Sequence, residues 1–283
     1  VTSTALPLAH EADRHARAAI PRRFLMCRPD FFEVSYTINP WMDPTEPVDR
    51  ALAVAQWEHL HATYLAYGHR VELVEGVAGL PDMVFAANGG IVVGDKAMAA
   101  RFAHPERQGE TALYANWFRG NHGGQVVVAS EFNEGEGDFL RAGELMLAGT
   151  GFRTSLAAHR EVQEYFGVQV ISLELVDPHF YHLDTALFVL DHAMVAYYPP
   201  AFSASSNALL RQLFPDAIIA TDADAQAFGL NALCDGANVF LAAAATDLHA
   251  ALRERGYNPV GIDMSELLKA GGSVKCCTLE IDR

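Results

Sequence analysis

MVFAANGGIVVGDKAMAARFAHPERQGETALYANWFRGNHGGQVVVAS, residues 83–130, contains a strand pair, a helix and a further strand in fewer than fifty positions. MVFAANGGIVVG (83–94) reads as two β-type runs around Gly89 and Gly90. Glu110 to Arg119 has helical period, and QVVVAS (125–130) is again β-type. The strands therefore do not alternate singly with helices. A doubly wound parallel sheet wants one strand per helix. Doubled strands fit a radial arrangement of small α/β modules better.

The same rhythm recurs about five times along the chain. Further β-type runs are Phe24 to Cys27, VELVE (71–75), VQVISLELV (168–176), TALFVLD (185–191), MVAYYP (194–199) and AIIAT (217–221). Helical period spans Asp49 to Tyr67, Ser155 to Phe166, Ser203 to Leu213 and Asp247 to Arg255. Leu52, Ala55, Trp57, Leu60, Tyr64 and Tyr67 are expected near one face of the first helix. Ser203 and Thr246-Asp247 read as N-caps, and Gly68 and Gly167 as C-terminal stops. Strands also pair around Gly135, Gly137 and Gly236. No linker or compositional break divides the chain, so one closed domain is expected over 23–283. It follows an Ala-rich lead-in, residues 1–22, which has the makings of a short helix.

With 51% hydrophobic and 19% charged residues, the 283-residue chain can bury a sizeable core. Its formal charge of −15 removes any general attraction to nucleic acid or an anionic membrane. No stretch is apolar and long enough to span a bilayer, which takes about 20 residues. The first residues hold no uninterrupted apolar core, so no secretory signal and a cytoplasmic location are expected. Four cysteines, two of them adjacent, do not make a disulfide framework, and the absence of CxxC argues against structural zinc. There is no Walker loop, no G-x-G-x-x-G after a strand and no H-E-x-x-H. Neither a metal nor another cofactor is expected.

Three segments could carry chemistry. FNEGEGDF (132–139) sets three acids around two glycines; it reads as a ligand-approaching turn or as an acidic surface turn. In HFYHLDTALFV (179–189), His182 and Asp184 are two apart at the start of an expected strand. They would then share a face, unless they are merely a strand-end His and a turn Asp. GGSVKCCTLEI (271–281) places Cys276 beside Lys275 after a double glycine. That thiol is either activated, with a lowered pKa, or a buried inert hydrophobe. Thiol, imidazole and carboxylates together suit nucleophilic attack on a cationic carbon, with paired hydrogen bonds to a guanidinium.

In order along the chain, PDMVFAANGG (81–90), RFAHPERQGE (101–110), FNEGEGDF, GFRTS (151–155), FYHLDT (180–185) and GGSVKCCTL (271–279) resemble the guanidino-group-modifying superfamily. The match runs from about Cys27 to Ile281. The resemblance implies the pentein fold, a five-bladed α/β propeller of ββαβ modules in a single domain, with residues 23–283 as the catalytic domain. Within the superfamily the chain is similar to dimethylarginine dimethylaminohydrolases, and FLMCRPDFFEVSYTINPWM (24–42) looks closer still to bacterial arginine dihydrolases.

The resemblance implies Cys276 as nucleophile, with Cys277 a rival, and His182 as general acid and base. Glu134 is the implied catalytic carboxylate, with Glu136 a rival because the E-G-G-D pattern is one residue longer here. Asp82 and Asp184 would bind guanidinium nitrogens; Arg101 and Arg153 would bind the amino-acid end. Asn88 and Asn39 match positions of the dihydrolases, in which the Asn at 88 is linked to continuing past citrulline to ornithine. Ala87 and Asn88 stand where dimethylaminohydrolases carry an acidic pair.

The implied function is cysteine-dependent hydrolysis of the guanidinium of arginine or a derivative. The products would be citrulline, ornithine or both, with ammonia or an amine, through a covalent thiouronium intermediate. Dimethylarginine hydrolysis and amidino transfer are rivals inside the family. A non-catalytic arginine-binding protein and a zinc hydrolase are rivals outside it. The expected partner is a small guanidino substrate, with no nucleic acid and no membrane. Homo-oligomerisation is left open.

Overall fold

The computed structural model describes residues 17–282. Strand β1 (Arg23–Cys27) lies parallel to β2 (Arg70–Val74) across the helix Arg50–Ala66. Three complete modules follow, each an antiparallel pair, a helix and a strand parallel to the second member. They are β3 (Gly90–Val93), β4 (Lys96–Ala99) and β5 (Gln125–Val128) around Glu110–Asn121; β6 (Phe139–Ala142), β7 (Leu145–Thr150) and β8 (Gln169–Glu174) around Leu156–Phe166; and β9 (Leu187–Val189), β10 (Val195–Tyr197) and β11 (Ile218–Ile219) around Ala204–Leu213. The fourth contains β12 (Leu233–Cys234), β13 (Asn238–Ala242) and β14 (Asn258–Ile262) around Thr246–Glu254. The last strand, β15 (Leu279–Asp282), returns to pair antiparallel with β1, with Phe24 opposite Glu280. The fifth ββαβ module is thus completed by the two ends of the described chain. The five small sheets form the α/β propeller of the pentein fold.

Burial follows position in each sheet. The middle strand is buried along nearly its whole length, as in β13, where Asn238, Val239, Phe240, Leu241 and Ala242 are all buried. The outer parallel strands β2, β5, β8 and β14 are only half covered. This explains why the middle strands read as continuous apolar runs instead of alternating patterns. Among the described residues, no helix is long and apolar enough to cross a membrane.

Several local expectations shift. In the first helix Asp49 is the N-cap, accepting from the Leu52 N–H at 3.0 Å, and its buried face is Ala53, Gln56, Trp57, Leu60 and Tyr64. Leu52, Ala55 and Tyr67 are exposed. The face was hidden by Gln56, whose amide is satisfied inside by Ser265 Oγ and the Glu266 N–H. Ser203 caps its helix as expected, and Ser155 caps Leu156–Phe166. Thr246 does not cap its own; Asp224 Oδ1 accepts from the Asp247 and Leu248 N–H groups instead. The short helix expected in the lead-in falls largely outside the described residues, and residues 17–22 are non-helical.

The double glycine of 83–94 also works differently. Residues 81–84 and 86–89 form two tight helical turns, and the strand pair comes after them, as β3 and β4. A Cβ on Gly89 would lie 2.4 Å from the Tyr114 ring, and one on Gly90 2.5 Å from the Met98 carbonyl oxygen. The glycines therefore permit close packing, not a hairpin. Gly135 and Gly137 likewise belong to a single turn ahead of β6.

Candidate active site

The turns that precede the first strands of successive modules end near one another, and they carry most of the expected site residues. Asp82 and Asn88 come from the turns before β3, and Glu134 from the turn before β6. His182 and Asp184 precede β9, and Cys276 precedes β15. Their burial is nearly complete: Glu134 is 0% exposed, His182 and Asp184 1%, and Asp82, Asn88 and Cys276 2%. The expected shared strand face of His182 and Asp184 is not formed. Leu183–Ala186 is a helical turn, and His182 is the residue before it. The two side chains diverge, one to Glu134 and the other to Cys276.

The first pole of the site is Glu134. Its Oε2 is 2.8 Å from His182 Nε2, and the Arg153 guanidinium donates to both carboxylate oxygens at 2.9 Å. Arg107 approaches to 3.6 Å. Burial works to raise the Glu134 carboxyl, but Arg153, His182 and Arg107 outweigh it and hold it well below the usual range. Glu136 faces elsewhere: it takes a 2.6 Å contact from Lys275 Nζ and a backbone N–H from Glu280.

The second pole is the thiol. Cys276 Sγ is 3.4 Å from Asp184 Oδ2 and 3.0 Å from Asn231 Nδ2. Burial, reinforced by the Asp184 carboxylate, pushes this thiol well above its ordinary pKa. The lowered value expected from Lys275 is not found. The Lys275 ammonium is drawn away, into a buried cluster with Glu136, Glu280 (3.7 Å) and the Thr278 carbonyl. Burial also raises Asp184 to about 7, against the opposing pull of Lys275 and hydrogen bonds from Cys276 and Asn231. Cys277 is fully buried among core residues.

In the substrate-free protein Cys276 should therefore be a protonated thiol at neutral pH. Its alkylation by iodoacetamide is expected to be slow at pH 7 and to keep accelerating through pH 9 as the thiolate fraction grows. Peptide mapping over a pH series measures it; a rate that plateaus below pH 8 would contradict the electrostatic picture.

Asp82 and Asp184 each leave one buried oxygen, Oδ1, without a hydrogen-bond partner, and so does His182 with Nδ1. Asp82 Oδ2 accepts from Tyr36, and burial raises this carboxyl too. Unpaired carboxylate oxygens in a buried site suit a cationic ligand rich in N–H donors. Among the described residues, no group of three or more His, Cys, Asp or Glu is arranged to hold a metal ion.

The remaining expected residues separate. Asn39 is buried, donating to the Ala270 carbonyl beside the Gly271 turn. Arg101 is exposed, stacked over Phe132 at 4.7 Å and bonded to the Ser130 carbonyl. Arg153 lies against Glu134 and also donates to the Ile38 carbonyl. The expected division, acids at one end and arginines at the other, is thus not seen: buried carboxylates demand nearby cations.

Arg107, in the same RFAHPERQGE segment, is the arginine the sequence reading passed over. It is 2% exposed, forks onto Glu110 through two 2.8 Å contacts, and donates to Asn88 Oδ1 at 2.8 Å and the Asp82 carbonyl at 3.2 Å. Its signal was the acid three residues later. Asp138, also missed, bonds Thr154 Oγ1 and the Leu183 N–H, fixing the segment after His182. Asn231 had no signal at all in the sequence.

Comparison with known proteins places the chain in a family. A family described as N,N dimethylarginine dimethylhydrolase, eukaryotic, matches residues 35–283. An N(G),N(G)-dimethylarginine dimethylaminohydrolase of Mycobacterium tuberculosis is 58% identical over 92% of this chain and 86% of that protein. The bifunctional arginine dihydrolase/ornithine cyclodeaminase ArgZ of Synechocystis is 38% identical over 92% of this chain, which spans only 37% of that longer protein. The crystal structure of the ArgZ N-terminal domain, a cysteine-to-serine variant bound to substrate, superposes with a TM-score of 0.89 over 93% of this chain and 98% of that one. A dimethylarginine dimethylaminohydrolase structure at 19% identity shares the fold, with a TM-score of 0.76. The chain belongs to the dimethylarginine dimethylaminohydrolase family, hydrolases that act on carbon–nitrogen bonds of linear amidines.

Proposed function

We propose that this protein hydrolyses the guanidinium group of arginine, with Cys276 as nucleophile, His182 as general acid and base, and Glu134 as the carboxylate that orients His182. The observation that carries the reading is one buried constellation. A thiol lies beside a carboxylate, an imidazole is paired to a second carboxylate at 2.8 Å, and two further carboxylate oxygens lack partners.

The guanidinium binds with its N–H groups on Asp82 and Asp184. Its positive charge offsets Asp184 and favours release of the Cys276 proton to solvent as the substrate enters. The thiolate forms a bond to the guanidinium carbon. The carbon–nitrogen bond then breaks, and the departing nitrogen takes a proton from His182 and leaves as ammonia. A covalent S-alkylthiouronium remains on Cys276. Water, losing a proton to His182, attacks its central carbon; the carbon–sulfur bond breaks, the remaining hydroxyl proton passes to solvent, and citrulline is released with the thiolate restored.

Asn88 favours arginine as substrate. Its Nδ2 lies 3.4 Å from the Glu134 carbonyl and its Oδ1 is held by Arg107. With Ala87, it leaves out the acidic pair that dimethylaminohydrolases carry there. On this reading a second cycle on citrulline would yield ornithine, carbon dioxide and ammonia. The 58% identity to a protein named as a dimethylaminohydrolase favours the second reading, dimethylarginine cleaved to citrulline and dimethylamine. Separate incubation with arginine, citrulline and dimethylarginine decides between them, with citrulline, ornithine, ammonia and dimethylamine all quantified. Ammonia from arginine supports the first reading. Dimethylamine from dimethylarginine, with arginine inert, replaces it with the second.

A further inference from the structure

We infer that Asn231 is a further catalytic residue, a hydrogen-bond donor to the Cys276 sulfur that stabilises it as a thiolate; this rests on the reading of Cys276 as nucleophile. Asn231 is 0% exposed and precedes β12, one module away from the thiol in the sheet order. Its carboxamide makes three contacts, and two of them fix which end is oxygen. The Cys276 backbone N–H can only donate, and it sits 3.0 Å from Oδ1. The Asp184 carbonyl can only accept, and it sits 3.2 Å from Nδ2. Nδ2 must therefore face the sulfur, at 3.0 Å. The sulfur is offered a donor, which favours its anionic form.

That donor acts together with a backbone hydrogen bond from Ser273, which also favours the anion, while Asp184 Oδ2 on the other side accepts from the thiol. A buried thiolate next to a carboxylate is costly, so one N–H aimed at it carries weight. The same residue fixes the nucleophile's position, because the Lys275 N–H donates to the Asn231 carbonyl at 3.3 Å. It also ties the Cys276 loop to Asp184, joining the two segments that must meet the guanidinium.

The backbone is bent to deliver this side chain. Phe228, three residues earlier, is fully buried at φ +55°, among the described residues the sole non-glycine at positive φ. Its carbonyl accepts the Asn231 N–H at 3.1 Å. An aromatic residue in the left-handed region is strained, and such strain persists where the surroundings over-determine it.

The test uses Asn231→Asp, which keeps shape and Oδ1 but removes the donor, beside Asn231→Ser. Both are expected to lower kcat by about tenfold to a hundredfold, the range for hydrogen bonds to charged groups, with KM changed far less. The pH at which Cys276 is alkylated and its ultraviolet thiolate absorbance appears should move upward. Folded variants with the wild-type alkylation profile and kcat would overturn the proposal. If neither variant folds, the Asn231 side-chain amide of nitrogen-labelled wild-type protein can be followed by NMR. Its signal should titrate with the thiol and lose that titration in Cys276→Ala; no response to the thiol would overturn the proposal. Full activity in Cys276→Ala would instead remove the nucleophile reading itself.

Discussion

Cys276→Ala is expected to reduce turnover by at least about 10⁴-fold, the scale for loss of an essential nucleophile, while Cys277→Ala keeps most of it. Both cysteines are buried, but their surroundings differ. Cys276 Sγ lies between a carboxylate at 3.4 Å and an amide donor at 3.0 Å. Both belong to the hydrophobic cluster with Phe24, Leu60 and Tyr64, but these polar contacts are described for the Cys276 sulfur. Loss of the Cys276 sulfur removes the atom that would bond the guanidinium carbon, and no other polar nucleophile is described between Asp184 and Asn231. The substitution is small and should leave the fold intact, because Asn231 keeps its bonds to the Cys276 N–H and the Asp184 carbonyl. Activity assays with circular dichroism on the same samples separate chemistry from folding. For Cys277→Ala, a drop as large as that of Cys276→Ala would exchange their roles.

Glu134→Gln is expected to cost both activity and stability. The glutamine matches the carboxylate in shape but not in charge. Arg153, 2.9 Å from both oxygens, would keep neutral acceptors, the glutamine oxygen and the Ile38 carbonyl, but lose the anion that balances its buried charge. Breaking a buried pair from one side costs about 3–5 kcal/mol, because the remaining charge is uncompensated. His182 would lose its anionic partner at 2.8 Å, with a kcat loss of about 10²-fold or more, as for a disabled acid–base group.

The sign of the pH effect follows. Glu134 has a folded pKa below its unfolded value, so its contribution is fully present above the unfolded carboxylate pKa, about 4.3. It is lost as pH falls toward the depressed folded value. The stability gap between wild type and variant, measured by urea unfolding, should be widest near neutrality and narrow below about pH 4. A constant gap would mean that the charge of Glu134 is not what stabilises the site.

Much of this was readable from residue order. The strand–strand–helix–strand rhythm carried the architecture because continuous apolar runs mark middle strands and helical period marks the intervening helices. Its details slipped where glycines serve packing, as at Gly89 and Gly90 against Tyr114 and Met98. The hairpin of β6 and β7 was hard to see because Arg141, Gly143 and Glu144 interrupt its apolar pattern. At the site, Cys276, His182, Glu134, Asp82, Asn88 and Asp184 were legible because each sits in a short motif. What was illegible depends on distance in sequence. Asn231 reaches Cys276 across 45 residues and Asp184 across 47. The direction of the Cys276 pKa shift also depends on where Lys275 points, which adjacency does not encode.

Turnover is expected to pass through a covalent intermediate on Cys276. Acid quenching during steady-state turnover of arginine, followed by mass spectrometry of the proteolysed protein, tests it most directly. An adduct of arginine less ammonia is expected on the peptide containing Cys276, absent from Cys276→Ala. Sustained turnover with an unmodified Cys276 peptide at every quench time, or with the adduct on another residue, would contradict it.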